Sequence, residues 1–195
     1  MKNSHIYIFT DASLKKYKSK DDREIVLAYG GFVIFQCIHI KGKCNFVRFK
    51  PIYEDVFELY GNNDLEITEA ELEALIKCLE YLIKTYHTRQ IVEMKIDIFM
   101  DHQSIVKALD KVQGNNIKIT APRVFKKDKY HYMHIAANKM LNRLRFNKDI
   151  NVDWISSETN HVCNNLVNSA RKEAAKNNLD ILVEEPIIIK RPIYI

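Results

Sequence analysis

The 195-residue chain is long enough for one domain with a buried core, and its 47% hydrophobic and 28% charged residues suit a globular protein rather than a disordered one. No apolar run approaches the roughly 18 residues a spanning helix needs, and Cys37, Cys44, Cys78 and Cys163 have neither C-x-x-C nor zinc spacing, which disfavours a membrane protein and a structural zinc site. The net charge of +5 is uneven: residues 117–150 carry nine basic side chains against two acids, leaving the rest of the chain mildly acidic. A basic segment on an acidic body is the footprint of a polyanion-binding surface, although a solvated charged loop has the same composition.

In chain order, "HIYIFTD" (5–11) alternates and is β-rich, so it reads as a strand ending at Asp11, followed by a lysine-rich turn, "SLKKYKSKDDRE". This start has no apolar signal segment, and scattered cysteines suit reduced thiols, so a cytoplasmic protein is expected. "IVLAYGGFVIFQCIHI" (25–40) and "CNFVRFKPI" (44–52) read as two strands joined by "KGK", and Gly30-Gly31 suggests a bulge or a close backbone approach. Residues 53–66 read as irregular. A helix is expected from Thr68 to Tyr86, with Leu72, Leu75, Ile76, Leu79 and Leu82 at helical spacing.

"VEMKIDIFMD" (92–101) is a further strand, ending at Asp101, and "HQSIVKALDKV" continues as a short helix. Next come a helix near Tyr130–Leu144, a strand in "INVDWIS" (150–156) and a last helix in "NHVCNNLVNSARKEAAK" (160–176). Three meander strands, then strands reached through helical crossovers, imply an α/β (α+β) fold: one mixed five-stranded sheet flanked by helices. One domain is expected over 1–195, with a basic helical insert at about 117–148 and an apolar tail at about 180–195. The tail either packs along a sheet edge or serves as a partner or dimer strand. Trp154 is expected in the core, and His131 and His134 at the surface.

Asp11 and Asp101 end strands 1 and 4, which would put both carboxylates at the crevice where the topology reverses. Thr68 followed by Glu71 fits a capping box, in which the glutamate satisfies a backbone donor. The same glutamate, on the first helical turn, can instead reach that crevice. Three converging carboxylates repel unless cations hold them, and Mg²⁺ is the natural occupant for hard oxygen ligands.

Four blocks, "FTDAS", "TEAELEAL", "IFMDHQSIVKAL" and "WISSETNHVCNNLVNSA", resemble in order the signature blocks of type 1 ribonuclease H, and together they span residue 5 to about 176. The last block is most similar to the subgroup in which a short run replaces a longer histidine-bearing loop, with Asn160, Cys163, Leu166 and Val167 on that pattern. The resemblance implies a ribonuclease H-like fold with sheet order 3-2-1-4-5, and an endoribonuclease that hydrolyses the RNA strand of an RNA–DNA hybrid with two divalent ions, Mg²⁺ or Mn²⁺. Asp11, Glu71, Asp101 and Asn164 would be its metal ligands and catalytic residues. Asn164 stands where the family has aspartate, so the site would carry a charge of −3 rather than −4.

No histidine aligns with the family's loop histidine. His161 and Glu158 are the candidate proton shuttles. Nucleic-acid contacts fall on Lys15, Lys16, Thr68, Arg123, Lys126, Lys127 and Lys129, basic or polar positions suited to phosphates and ribose. On the residues alone two other readings stay open: a weakened or non-cutting nucleic-acid-binding module on the same fold, and another nuclease of the wider superfamily. A nucleotide-binding protein finds no support, because five glycines supply neither G-x-G-x-x-G nor a P-loop.

Overall fold

The computed structural model describes residues 4–40, 46–59, 65–86, 94–110, 130–145 and 149–178. Its elements are β1 (Ser4–Lys18), β2 (Glu24–Ile40), β3 (Phe46–Glu58), α1 (Ile67–Tyr86), β4 (Met94–Met100), α2 (Gln103–Asp110), α3 (His131–Arg145), β5 (Asp149–Trp154) and α4 (His161–Asn177). They form one mixed sheet of order β3-β2-β1-β4-β5, the order that the resemblance implied. The β1–β2 and β2–β3 pairs are antiparallel, and β1–β4 and β4–β5 are parallel. No described helix is long and apolar enough to cross a membrane.

Strand alternation sorts the side chains to two faces. Ile6, Ile8, Phe32, Ile34, Ile96, Ile98, Ile150 and Val152 point into one core with Leu72, Leu75, Leu79 and Leu82 of α1. Burying each such side chain is worth about 1.5–3 kcal/mol. Ile105 and Leu109 of α2 and Ala137, Leu141 and Leu144 of α3 complete it, so the helical part of the basic segment is a core element. Its Lys139 and Arg143 stay exposed. Arg123, Lys126, Lys127, Lys129, Cys44 and the apolar tail lie outside the described residues. Cys37, Cys78 and Cys163 are buried free thiols, as expected.

Several expectations need correction. β1 does not end at Asp11 but runs on to Lys18, because β2 pairs with it through Lys18↔Glu24. The parallel ladder with β4 stops at Phe9↔Phe99, so Asp11 lies just past the point where β1 loses that neighbour. The hairpin turn is shorter than the lysine-rich stretch suggested. Ser19 Oγ accepts from the Arg23 N–H at 2.9 Å, and Asp22 takes a left-handed conformation with φ 59°. Likewise β3 extends to Glu58 through residues read as irregular. Trp154 is 47% exposed at the end of β5, and His134 is only 4% exposed on the core side of α3.

The second face carries α4, and the paired glycines explain how close it lies. The β2–β3 register shift falls at Ile34/Phe35, so Gly30-Gly31 is not the bulge. It is a close approach: a Cβ on Gly31 would stand 2.9 Å from the Asp55 backbone oxygen and 2.9 Å from Val167 Cγ1 of α4. Gly31 pairs across the sheet with Asp11, so the missing side chain lets α4 settle beside that acid. Gly31→Ala is expected to lower stability by about 1–3 kcal/mol, the usual cost of overpacking, as read by thermal melting. An unchanged melting temperature would contradict this close fit.

Candidate active site

Asp11 and Glu71 are buried, 2% and 3% exposed, and Asp101 is half-buried. One carboxylate oxygen from each of the three lies within 4.8 Å of the others. β1 brings Asp11 to the edge of the β4 ladder, α1 brings Glu71 from its first turns, and Asp101 follows β4 directly. Asp101 is steadied from behind: its carbonyl accepts the Trp154 indole N–H at 3.0 Å, and the Ile155 N–H donates to Met100 O. Trp154 is thus a rim residue bracing the site.

The capping reading of Glu71 is not what the structure shows. Glu66 O receives the first helical N–H groups, from Glu69 and Ala70, so the helix begins before Thr68. Thr68 Oγ1 lies 3.1 Å from His102 Nε2 instead. Glu71 Oε1 accepts the Ala12 N–H at 3.2 Å, and Asp11 Oδ1 takes the same N–H at 2.8 Å. One backbone donor therefore serves two buried carboxylates, and Asp11 Oδ2 and Glu71 Oε2 meet no N–H donor among the described residues.

Such a cluster resists ionisation. Burial and then the charge of Asp101 raise the Asp11 pKa from 3.8 to about 7. Burial, then Asp11 and Asp101, push Glu71 well above the carboxylate range. Asp97 of β4 makes the contrast. Its burial is offset by Asn151 Nδ2 at 3.1 Å, His5 Nε2 at 2.6 Å and Lys95 at 3.4 Å, which hold its pKa below the usual value. Asp97 is thus a satisfied structural acid, whereas Asp11 and Glu71 have no cationic partner among the described residues. Buried orphan oxygens, mutual repulsion and an all-oxygen donor set fit a hard divalent cation.

α4 closes the site from the other face. Asn160 Nδ2 donates to Thr10 O at 2.9 Å, and Ser13 Oγ donates to Asn168 Oδ1 at 2.7 Å. Residues 10–13 of β1 thus run beside 160–168 of α4, which sets Asn164, midway, at the level of Asp11. The Cys163 thiol, which donates to Gly31 O at 3.4 Å, is fully buried, and burial followed by Asp11 raises its pKa. It is therefore no nucleophile.

His161 and Glu158 are exposed at the start of α4 and before it. Lys15 lies over the Tyr17 ring, and Lys16 pairs with Glu24 at 2.7 Å; both are exposed on the β1 extension. Three contributors escaped the sequence reading: His102, Asn168 and Arg171. His102 adjoins Asp101, and burial lowers its pKa. Asn160, Asn164, Asn168 and Arg171 recur at helical spacing, a stripe visible in the sequence but uninformative until its partners on β1 were known.

No protein-family model matches the sequence, and no curated protein matches it significantly. Solved structures do. The chain is similar to ribonuclease H1 from the halophilic archaeon Halobacterium salinarum, with TM-score 0.56 and 16% identity over 87% of this chain and 98% of that one. It is similar to LC11 ribonuclease H1, isolated from compost by a metagenomic approach, with TM-score 0.51 and 22% identity over 89% and 99% of the two chains. A third likeness is to the foamy viral protease-reverse transcriptase in complex with an RNA/DNA hybrid, with TM-score 0.55 and 12% identity over 90% of this chain and 20% of that one. At such identities the likeness is one of architecture, and the architecture is that of a type 1 ribonuclease H.

Proposed function

We propose that the chain is a divalent-cation-dependent endoribonuclease that hydrolyses the RNA strand of RNA–DNA hybrids. The observation carrying this reading is the convergence of Asp11, Glu71 and Asp101 within 4.8 Å, with an oxygen on each of the two buried acids that meets no N–H donor among the described residues. The fold likeness supports it, including the foamy viral enzyme bound to a hybrid.

Bound at the three carboxylates, two Mg²⁺ or Mn²⁺ ions would supply an activated water and stabilise the leaving oxygen and the crowded transition state. Asp11, Glu71 and Asp101 would hold the ions through carboxylate oxygens that lie within 4.8 Å of one another. Asn164, level with Asp11 on α4, takes the fourth corner without adding charge. Exposed Lys15 and Lys16, with Arg123, Lys126, Lys127 and Lys129, grip phosphates in a sequence-independent, salt-sensitive way. His161 and Glu158 shuttle protons from solvent. The products carry 5′-phosphate and 3′-hydroxyl ends.

Labelled hybrid, double-stranded RNA, double-stranded DNA and single strands, incubated with Mg²⁺ or Mn²⁺, test the reading. Cleavage of the hybrid's RNA strand alone is expected. Cutting of DNA duplexes in preference would make the chain a different nuclease of this fold, and binding without cutting would make it a nucleic-acid-binding module. Asn164→Asp restores a fourth charge, so it is expected to lower the Mg²⁺ concentration for half-maximal activity about tenfold, equivalent to about 1.4 kcal/mol. Superimposable metal titrations of the two proteins would refute that.

A further inference from the structure

Arg171 is 8% exposed, and it has no acidic partner among the described residues. Its Nε donates to Ser13 Oγ at 2.7 Å, one Nη to Asn168 Oδ1 at 3.2 Å and the other to the Tyr17 hydroxyl. A guanidinium can only donate. The Asn168 atom facing it must therefore be oxygen, and Ser13 Oγ, which also receives from Arg171, donates its own O–H to that same oxygen.

With its oxygen fixed, Asn168 must present Nδ2 elsewhere, and it donates to Asn164 Oδ1 one turn back along α4. The orientation of Asn164 follows in turn. Its oxygen is tied to Asn168, and its Nδ2 makes no hydrogen bond within the described residues. An amide flip at Asn164 would set two N–H₂ groups against each other, and a flip at Asn168 would set one against the guanidinium.

We propose that Arg171, acting through Asn168, is a positioning residue that fixes the Asn164 amide with its donor end free, so the fourth corner of the acidic site takes a hydrogen-bond acceptor, a phosphodiester oxygen or a water, rather than a cation. This rests on the cation-dependent reading of the three carboxylates and refines it. The chain places an N–H donor where a fourth carboxylate would place a ligand. A phosphate oxygen held there gains a hydrogen bond without the repulsion that an acid would impose. The cation, held by three acids instead of four, is released more readily.

The test is Mn²⁺ binding to the full chain without nucleic acid, followed by electron paramagnetic resonance. Asn168→Asp keeps acceptors for Ser13 and Arg171 and sets its new charge against the guanidinium, but it has no N–H to give. Arg171→Met adds no acid and releases the Asn168 amide. In both variants Asn164 is free to turn its oxygen toward the cluster, and Mn²⁺ is expected to bind about tenfold tighter, the usual scale for partners of a metal ligand. Adding Asn164→Ala to each variant is expected to erase the gain, which a mere change in local charge or packing would not allow. Melting curves show which variants remain folded, and a gain in either one that does is sufficient.

Affinities equal to wild type in the folded variants, or a gain that survives Asn164→Ala, would overturn the proposal. A weaker Mn²⁺ affinity in Asn164→Ala alone would also overturn it, since the oxygen would then already be a ligand. Wild-type protein that binds no Mn²⁺ would instead sink the underlying cation site, a separate and distinguishable failure.

Discussion

Asp101→Asn should reduce hydrolysis of an RNA–DNA hybrid by about 10³-fold or more while making the cation-free protein more stable, and the two opposite effects together are diagnostic. Asp101 is the half-buried member of the cluster, and its charge raises the pKa of both Asp11 and Glu71. Removing that charge withdraws one ligand oxygen and reduces the field that would hold a cation beside the scissile phosphate. Losses of about 10²–10³ follow from deleting a single fixed stabiliser of transition-state charge, and a missing metal ligand belongs at or above that range. In the cation-free protein the same change relieves repulsion in a buried site, so the melting temperature in EDTA is expected to rise. Single-turnover cleavage and melting in EDTA measure both. A variant that cuts like wild type would remove Asp101 from the chemistry, and one that merely unfolds would reassign it to structure.

The second large effect is a linkage between pH, cation and stability. Asp11 has a folded pKa of about 7 against an ordinary 3.8, and Glu71 is shifted in the same direction, both chiefly by burial. Between these limits the native state keeps protons that the unfolded chain has released. Stability of the cation-free protein is therefore full below about pH 4 and is lost as pH rises through about 7. Three pKa units on Asp11 alone set an upper bound of about 4 kcal/mol. A divalent cation replaces those protons, so the melting-temperature gain from Mg²⁺ should be small near about pH 5 and large near about pH 8. Melting curves across that range, with EDTA and with Mg²⁺, decide the matter. A cation-free protein that grows more stable over the same range, or a Mg²⁺ gain independent of pH, would contradict it.

What the sequence disclosed about this site follows from the range of each interaction. Asp11 and Asp101 sit beside strongly β-rich runs, and Glu71 sits on a helix with clear apolar spacing, so periodicity placed each on its element, while the order of the four signature blocks singled out the three together. The mixed sheet was legible from the connections, and its strand order from the resemblance. The length of β1 was not, because "LKKYK" has little apolar alternation and is held in the strand by pairing with β2. Trp154 looked like a core residue by size, but its indole N–H is spent on the Asp101 carbonyl at the rim. Thr68 and Glu71 matched a capping box by spacing, yet each bonds to a residue distant in the chain. The Ser13–Asn168–Arg171 network joins side chains about 155 positions apart, and no local pattern encodes it.

The most direct measurement is a crystal structure of the protein soaked with Mn²⁺, using anomalous scattering to locate the metal. Density is expected within coordination distance of carboxylate oxygens from Asp11, Glu71 and Asp101, with Asn164 making no bond to it. Manganese bound elsewhere at saturating concentration, or an empty cluster whose carboxylates stay protonated above about pH 8, would contradict the account at its base.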